Sequence, residues 1–219
     1  MPLHTTDALI LRTYKLGESD RIVVFLTRDR GKKRGVAKNA RQSRRRFGGA
    51  LEPMTCGRIG YAERERRELV RLDYVEPLRS PLSAIDGEAL GYVGYFAELI
   101  DEWAQEADPN EALFRLGASM TDAIAVGVPI EPLARYFEFW LLRLQGVYEL
   151  DRRLSNEAQA FLATARSSSP FALSHVGVSR GALRELEAAH RALIAMHLEK
   201  DLKSVRVLRE IRSGGHRDR

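Results

Sequence analysis

Across residues 7–77 the apolar positions come in short runs broken by glycine or by clusters of charge, and no stretch sustains a helical period. Residues 8–14, 21–28, 32–38, 51–61 and 68–75 each read as a strand. The second run, with Ile22, Val23, Val24, Phe25 and Leu26, is too continuously apolar for a half-exposed strand, so it should be buried on both faces. Five short strands in about seventy residues suit a small closed barrel, because closure removes the edges an open sheet would expose. The five-stranded oligonucleotide-binding barrel is the expected form. Beyond Pro77 the period changes. Leu90, Val93, Phe96, Ile100 and Trp103 recur at helical spacing and predict a helix over 87–106. Asp108, Pro109 and Glu111 match an N-cap, a first-turn proline and a third-position acid, which opens a second helix carrying Leu113, Leu116, Met120 and Ile124. Leu133, Phe137, Trp140, Leu141 and Leu144 make a third, stopped near Gly146, and residues 155–166, 179–200 and 204–212 make three more. The expected class is α+β: a barrel domain over 1–80, an all-helical domain over 81–212 and a disordered tail over 213–219.

At 219 residues and 44% hydrophobic, the chain can bury a substantial core. Its single cysteine, Cys56, permits no internal disulfide and no multi-cysteine zinc site. No apolar run reaches the ~20 residues of a membrane span, and the N-terminus lacks a secretory pattern, so the expected location is the cytoplasm with no membrane contact. The net charge of +5 hides an asymmetry. Residues 1–80 hold 19 Lys and Arg against 10 Asp and Glu, residues 81–150 hold 3 against 12, and residues 151–219 hold 13 against 8. A polyanion would have to meet the first third.

Within that third, residues 28–46 place ten cations against the one acid Asp29. So many like charges on one strand and its following loop repel one another, and nucleic-acid backbone is an anion of matching density. On a single strand, release of counterions from roughly five phosphates gives a log–log salt slope of about −3.5, or roughly a hundredfold loss of affinity between 50 and 200 mM salt. The candidate phosphate contacts are Lys32, Lys33, Arg34, Lys38, Arg41, Arg44, Arg45 and Arg46. Phe47, directly after the triple arginine, is the leading candidate to stack on a base, with Tyr14, Tyr61 and Tyr74 as others. This reading requires those guanidiniums to be free of the protein's own carboxylates.

Catalytic and metal signals are weak. His190 and His197 lie seven apart on a helix face shared with Leu183, Leu186 and Leu193, which makes them packed histidines rather than ligands. Cys56 has no neighbouring histidine to activate it. There is no Gly-rich phosphate loop with its lysine, no serine elbow and no acid triplet of a two-metal nuclease. No cofactor, metal or catalytic residue is expected. A non-catalytic binding protein follows, and the same basic loop would serve an RNA-binding accessory factor equally well. Cleavage of labelled strands in divalent metal would instead point to a hydrolase.

Residues 8–53 carry more specific marks: a Leu-Arg pair, Gly-Glu-Ser-Asp-Arg, a hydrophobic strand ending in Thr, Arg-Asp-Arg-Gly, Val-Ala-Lys, and Ser-Arg-Arg-Arg-Phe before Leu-Glu-Pro. In that order they resemble the opening of the bacterial RecO recombination-mediator family. Leu202-Lys203-Ser204 and the basic segment after it also look like that family, so the resemblance covers most of the chain. It implies a DNA-repair mediator of the RecFOR pathway in the bacterial cytoplasm, associated with the nucleoid. Such a mediator binds single- and double-stranded DNA, anneals complementary strands and helps load RecA onto strands coated by single-strand-binding protein. The implied partners are RecR and the acidic tail of that coating protein, with RecA reached indirectly. The resemblance also brings in Arg12 and Arg21 as DNA contacts, Arg21 having Asp20 as an alternative partner. Arg115, Arg135, Arg143, Arg152 and Arg153 are the basic choices for docking an acidic tail in the helical block's first half. Two departures stand out. Asn39 replaces a more usual glycine after Val-Ala-Lys, a position where asparagine tolerates positive φ. The zinc knuckle that many members insert after the segment matching 146–153 has no cysteines here, so zinc is not expected. The acidic stretch 81–150 is expected to face away from DNA or toward a basic partner.

Overall fold

The computed structural model describes residues 3–43, 46–63, 68–83, 87–150 and 154–214. Five strands, β1 (Leu3–Leu16), β2 (Asp20–Thr27), β3 (Lys32–Ala37), β4 (Cys56–Ala62) and β5 (Val70–Arg79), close into a barrel of order β1-β2-β3-β5-β4. All pairs are antiparallel except β3 with β5, which run parallel. That winding is the oligonucleotide-binding barrel expected from the strand pattern. Inward-facing Ile10, Val23, Phe25, Ala37, Ile59, Tyr61 and Leu72 fill it, and Phe47, Ala50 and Leu51 from the β3–β4 connection join the same core. The fourth strand starts later than the apolar run beginning at 51, because residues 51–54 turn there and Met54 adopts φ 60°.

By packing, the chain divides into two compact units, one formed by residues 1–83 with 93–122, the other by 84–92 with 123–219. In the first unit, the later part of α1 (Gly87–Trp103) and most of α2 (Glu111–Ala125) cover the outside of the barrel. This explains β2: Val23 and Phe25 point into the barrel, while Val24 and Leu26 are buried on its other face. Contact is close enough that a Cβ at Gly117 would lie 2.5 Å from Leu9 Cδ2. The connection between the helices docks on β3 like a short extra strand: Lys32 N donates to Gln105 O at 3.2 Å and Ala107 N to Lys32 O at 3.1 Å. Gly31 makes this possible, since it holds φ 67° and a Cβ there would sit 2.4 Å from the Asp108 backbone. The cap of α2 is Asn110, whose Oδ1 accepts from Leu113 N at 2.9 Å, rather than Asp108. Asp108 is instead part of the connection drawn against β3.

The second unit is helical. In it α3 (Ile130–Leu144) packs on α4 (Asn156–Ser167) and α5 (Arg180–Leu198), and α6 (Lys203–Gly214) lays Leu208 against Gly91. The serines that open α4 and α5 cap them reciprocally. Ser155 Oγ accepts from Ala158 N and donates to Glu185, while Ser179 Oγ accepts from Ala182 N and donates to Glu157. Both of those donations leave the hydroxyl's lone pairs for the helix N-terminus, so each helix start is tied to the other helix. Glu157 is thereby held below the usual carboxylate range. The helix α6 includes Ser213 and Gly214, the first two residues of the expected tail, and residues 215–219 lie outside the described residues. No described helix is long and apolar enough to cross a membrane.

Candidate nucleic-acid interface

Beyond Arg28 and Arg30, which pair with Glu111 and Asp29, the other eight cations of residues 28–46 fall into two groups along the chain. Strand β3 carries the first, and every member meets a carboxylate. Lys32 Nζ lies 3.2 Å from Asp101 Oδ1 and also donates to the Asp101 carbonyl, with both side chains largely buried. Lys33 Nζ donates to Glu63 Oε1 at 2.8 Å, and that bond holds the Glu63 carboxyl below its ordinary range. Arg34 Nε reaches Glu106 Oε1 at 2.9 Å in an exposed pair. On β1, Arg12 Nη2 lies 3.1 Å from Asp101 Oδ2 and 3.8 Å from Glu102 Oε1. Burial works against the Arg12 charge, but the Tyr14 hydroxyl and Asp101 outweigh it and raise its pKa. The acidic stretch 81–150 was expected to face away from DNA or toward a basic partner; Asp101, Glu102 and Glu106 instead meet cations of this same chain. They lie 69 to 72 residues or more from the β3 cations in sequence and pack directly on them or on Arg12.

The second group sits on the β3–β4 connection. Asn39 takes φ 54°, the left-handed turn that asparagine permits, and its carbonyl accepts from Gln42 N and Ser43 N. Asn39 N donates to Asp20 Oδ1 and Arg41 N to Ser19 O, pinning the loop to the β1–β2 turn, while Val75 N donates to Arg46 O and pins it to β5. The loop is thus fixed without using its charges. Lys38 is exposed and, among the described residues, has no ion pair. Arg41 Nη1 donates to the Glu18 carbonyl at 2.9 Å, and Arg46 Nη2 donates to the Lys38 carbonyl at 2.7 Å. Neutral oxygens orient these guanidiniums and leave their charge uncancelled. Arg21 is half-buried beside this loop, in register with Ala37 and Lys15, and among the described residues pairs with no acid; Asp20 bonds Ser19 and Asn39 instead. Arg44 and Arg45 lie outside the described residues. Lys15 extends this cationic end of the barrel and was not among the expected contacts, because a single lysine in a strand gives no signal.

Phe47 is a correction. Its ring is 1% exposed within the barrel core, with the Arg46 guanidinium 5.0 Å above it, so it closes the barrel end and offers no face to a base. Tyr61 is also fully buried, and the Tyr74 ring lies against Gly60 with its hydroxyl 3.4 Å from Thr5 Oγ1. Tyr14 alone of the four candidate aromatics is exposed, at 44%.

In the helical unit, Arg135 is buried against Glu138 and Glu187, which removes it as a docking residue. Arg143 stacks over Phe139 and Trp140, Arg115 of the first unit is exposed, and Arg152 and Arg153 lie outside the described residues. His190 is fully buried between Glu138 and Tyr148, whereas His197 is exposed, so the two histidines do not share one buried face. Burial pushes the Cys56 thiol up to about 11, leaving little thiolate at neutral pH. Among the described residues no cluster of three or more His, Cys, Asp or Glu is arranged to hold a metal ion.

Family models match both parts of the chain. "Recombination protein O N terminal" matches residues 1–81, and "Recombination protein O C terminal" matches residues 85–213. The chain is 46% identical over 145 residues to the DNA repair protein RecO of Koribacter versatilis, covering 66% of this chain and 59% of that protein. It is 40% identical over 141 residues to the RecO of Anaeromyxobacter sp. strain K, covering 64% and 55%. The RecO of Pelotomaculum thermopropionicum is 29% identical over 240 residues, with 93% of each chain covered. The chain thus spans somewhat over half the length of the first two relatives. With a barrel and a helical part each matched over nearly their whole extent, the chain belongs to the recombination protein O family.

Proposed function

We propose that this protein is a non-catalytic DNA-binding mediator of recombinational repair, which anneals complementary strands and, with RecR, helps RecA replace single-strand-binding protein. Membership of its family supports a role in DNA repair and recombination. The observation that carries the DNA-binding reading is the β3–β4 connection, a loop pinned through its backbone N–H and C=O groups whose described cations meet neutral oxygens, the Phe47 ring or solvent and no carboxylate. Five cations, Lys38, Arg41, Arg44, Arg45 and Arg46, fall within nine residues there.

Annealing requires no bond chemistry. A dense positive surface lowers the repulsion between two polyanions and raises their local concentration, and base pairing then supplies the driving force. The partners RecR and the acidic tail of single-strand-binding protein, and association with the bacterial nucleoid, belong to the same proposal, as does the barrel of residues 1–80 as its DNA-binding domain. The test is annealing of complementary strands coated by single-strand-binding protein, comparing wild type with Arg44→Glu/Arg45→Glu/Arg46→Glu. The variant should anneal far more slowly. Equal rates would remove the loop from the mechanism, and a preference for RNA over single-stranded DNA in competition would redirect it to RNA.

A further inference from the structure

The second unit concentrates charge in a way that its sequence average hides. Residues 151–219 hold 13 Lys and Arg against 8 Asp and Glu, and folding sorts the cations into two kinds. Arg191 and Arg212 converge on Glu187, whose Oε1 accepts from Arg191 Nη2 at 2.5 Å and from Arg212 Nη1 at 3.0 Å. Others gather round a recess of about 370 Å³ between the last turns of α5 and the first turns of α6, lined wholly by residues of the second unit. Arg191, Lys200, Lys203, Arg206 and Arg209 line it against the single acid Asp201. Ile194, Leu202 and Val205 belong to its apolar part. Except for Arg191 these cations are exposed. Arg206 Nε lies 3.9 Å from Glu210 Oε1, with the two side chains 80% and 71% exposed, and so loose a pair in water cancels little charge. Arg209, among the described residues, has no ion pair. The lining contains no aromatic ring on which a base could stack. Its chemistry is that of phosphate contacts beside aliphatic surface, which fixes a nucleic-acid backbone without reading sequence.

We propose that the α5–α6 recess holds the backbone of a second DNA strand while the β3–β4 loop holds the first, so that annealing joins two strands carried by different units of one chain. The inference rests on the DNA-binding reading above and adds to it where the complementary strand is carried. Two strands on one set of cations compete for the same charge. A second set in another unit lets both polyanions be neutralised at once. Because Arg191 is tied to Glu187, the recess has less charge to give than the loop and is the weaker site. Backbone contacts also tolerate any sequence, as annealing of arbitrary strands requires.

The experiment titrates the full chain with oligothymidine of about 10 nucleotides, near the span of a single barrel. It also times the annealing of bare complementary strands with no coating protein present. Wild type is compared with Arg206→Glu/Arg209→Glu, with Arg206→Lys/Arg209→Lys and with Arg44→Glu/Arg45→Glu/Arg46→Glu. Wild type should bind one oligonucleotide tightly and a second weakly. Arg206→Glu/Arg209→Glu should lose only the weak step and, with about two phosphate contacts reversed, anneal roughly tenfold more slowly at 50 mM salt. Arg206→Lys/Arg209→Lys keeps the charge and should match wild type in both measurements. A single oligonucleotide per wild-type chain, an annealing rate unchanged by the Glu substitutions, or equal failure of the charge-keeping variant would each overturn the proposal. If annealing is unchanged while the Glu substitutions abolish binding of a poly-aspartate peptide, the recess belongs to an acidic protein partner instead. Loss of the weak step in Arg206→Glu/Arg209→Glu, with the tight step intact in Arg44→Glu/Arg45→Glu/Arg46→Glu, would support the recess and overturn the loop reading.

Discussion

Two sets of cations, adjacent in sequence and alike in composition, meet opposite fates in this barrel. On β3 and β1, Lys32, Lys33, Arg34 and Arg12 are matched to Asp101, Glu63, Glu106 and Glu102, whereas on the β3–β4 loop Lys38, Arg41 and Arg46 meet carbonyls, a serine hydroxyl or solvent. The difference lies in the neighbours. The end of α1 supplies Asp101 and Glu102, the connection after it packs over β3 and supplies Glu106, and Glu63 follows β4, while the loop is tied down by bonds from backbone N–H groups that consume no cation. Charge density along a chain reports an available polyanion site only where no distant segment supplies the counter-charge.

Reversing the loop breaks this comparison most severely. Lys38→Glu/Arg41→Glu/Arg44→Glu/Arg45→Glu removes four candidate phosphate contacts. It should lower single-strand affinity about a hundredfold at 50 mM salt and flatten the log–log salt slope by roughly 2 to 3, read by fluorescence anisotropy. A slope unchanged by the substitutions would show that the loop makes no phosphate contacts.

The paired set should respond in stability instead of affinity. Lys32→Ala leaves the largely buried Asp101 carboxylate with Arg12 alone and removes two hydrogen bonds from a charged donor, so unfolding in urea should become easier by about 2 kcal/mol. Its single-strand affinity should stay within twofold of wild type. A large loss of affinity with unchanged stability would invert the division between the two sets.

The smallest effect sharpens it. The Lys33 contact lowers the Glu63 pKa below the ordinary 4.5. The lowered folded value means that the pair stabilises the fold above the unfolded pKa, and that this contribution disappears as pH falls through the folded one. Glu63→Gln should therefore be less stable than wild type near pH 7, by under about 1 kcal/mol for a part-exposed pair, and the two should converge as pH falls through the lowered folded pKa of Glu63. At neutral pH the same variant frees Lys33 and should steepen the salt dependence slightly. Thermal unfolding across pH and binding across salt measure the two halves.

Much of this architecture was legible from the chain alone. Short apolar runs broken by glycine and charge placed the strands, the unbroken apolar run of β2 announced burial on both faces, and Asn39 marked a left-handed turn. The acids that neutralise β3 were not legible. Asp101 and Glu106 are ordinary helix-end and connector acids in sequence, and only the docking of residues 104–107 beside Lys32 gives them partners. Phe47 misled for a related reason: its cationic neighbours pointed to the surface, but in a small barrel the open end must be filled, and the nearest large apolar ring fills it. The cap of α2 fell on Asn110 because Asp108 is held against Gly31.

The seam at Gly31 has a further consequence for how this barrel can diverge. One residue added between Ala104 and Asp108 would swing alternate side chains to the opposite face, and Glu106 would turn from Arg34 toward water. A lengthened connector would thus convert structural cations into a ligand-facing tract without altering a single basic residue, enlarging the polyanion footprint by an insertion alone.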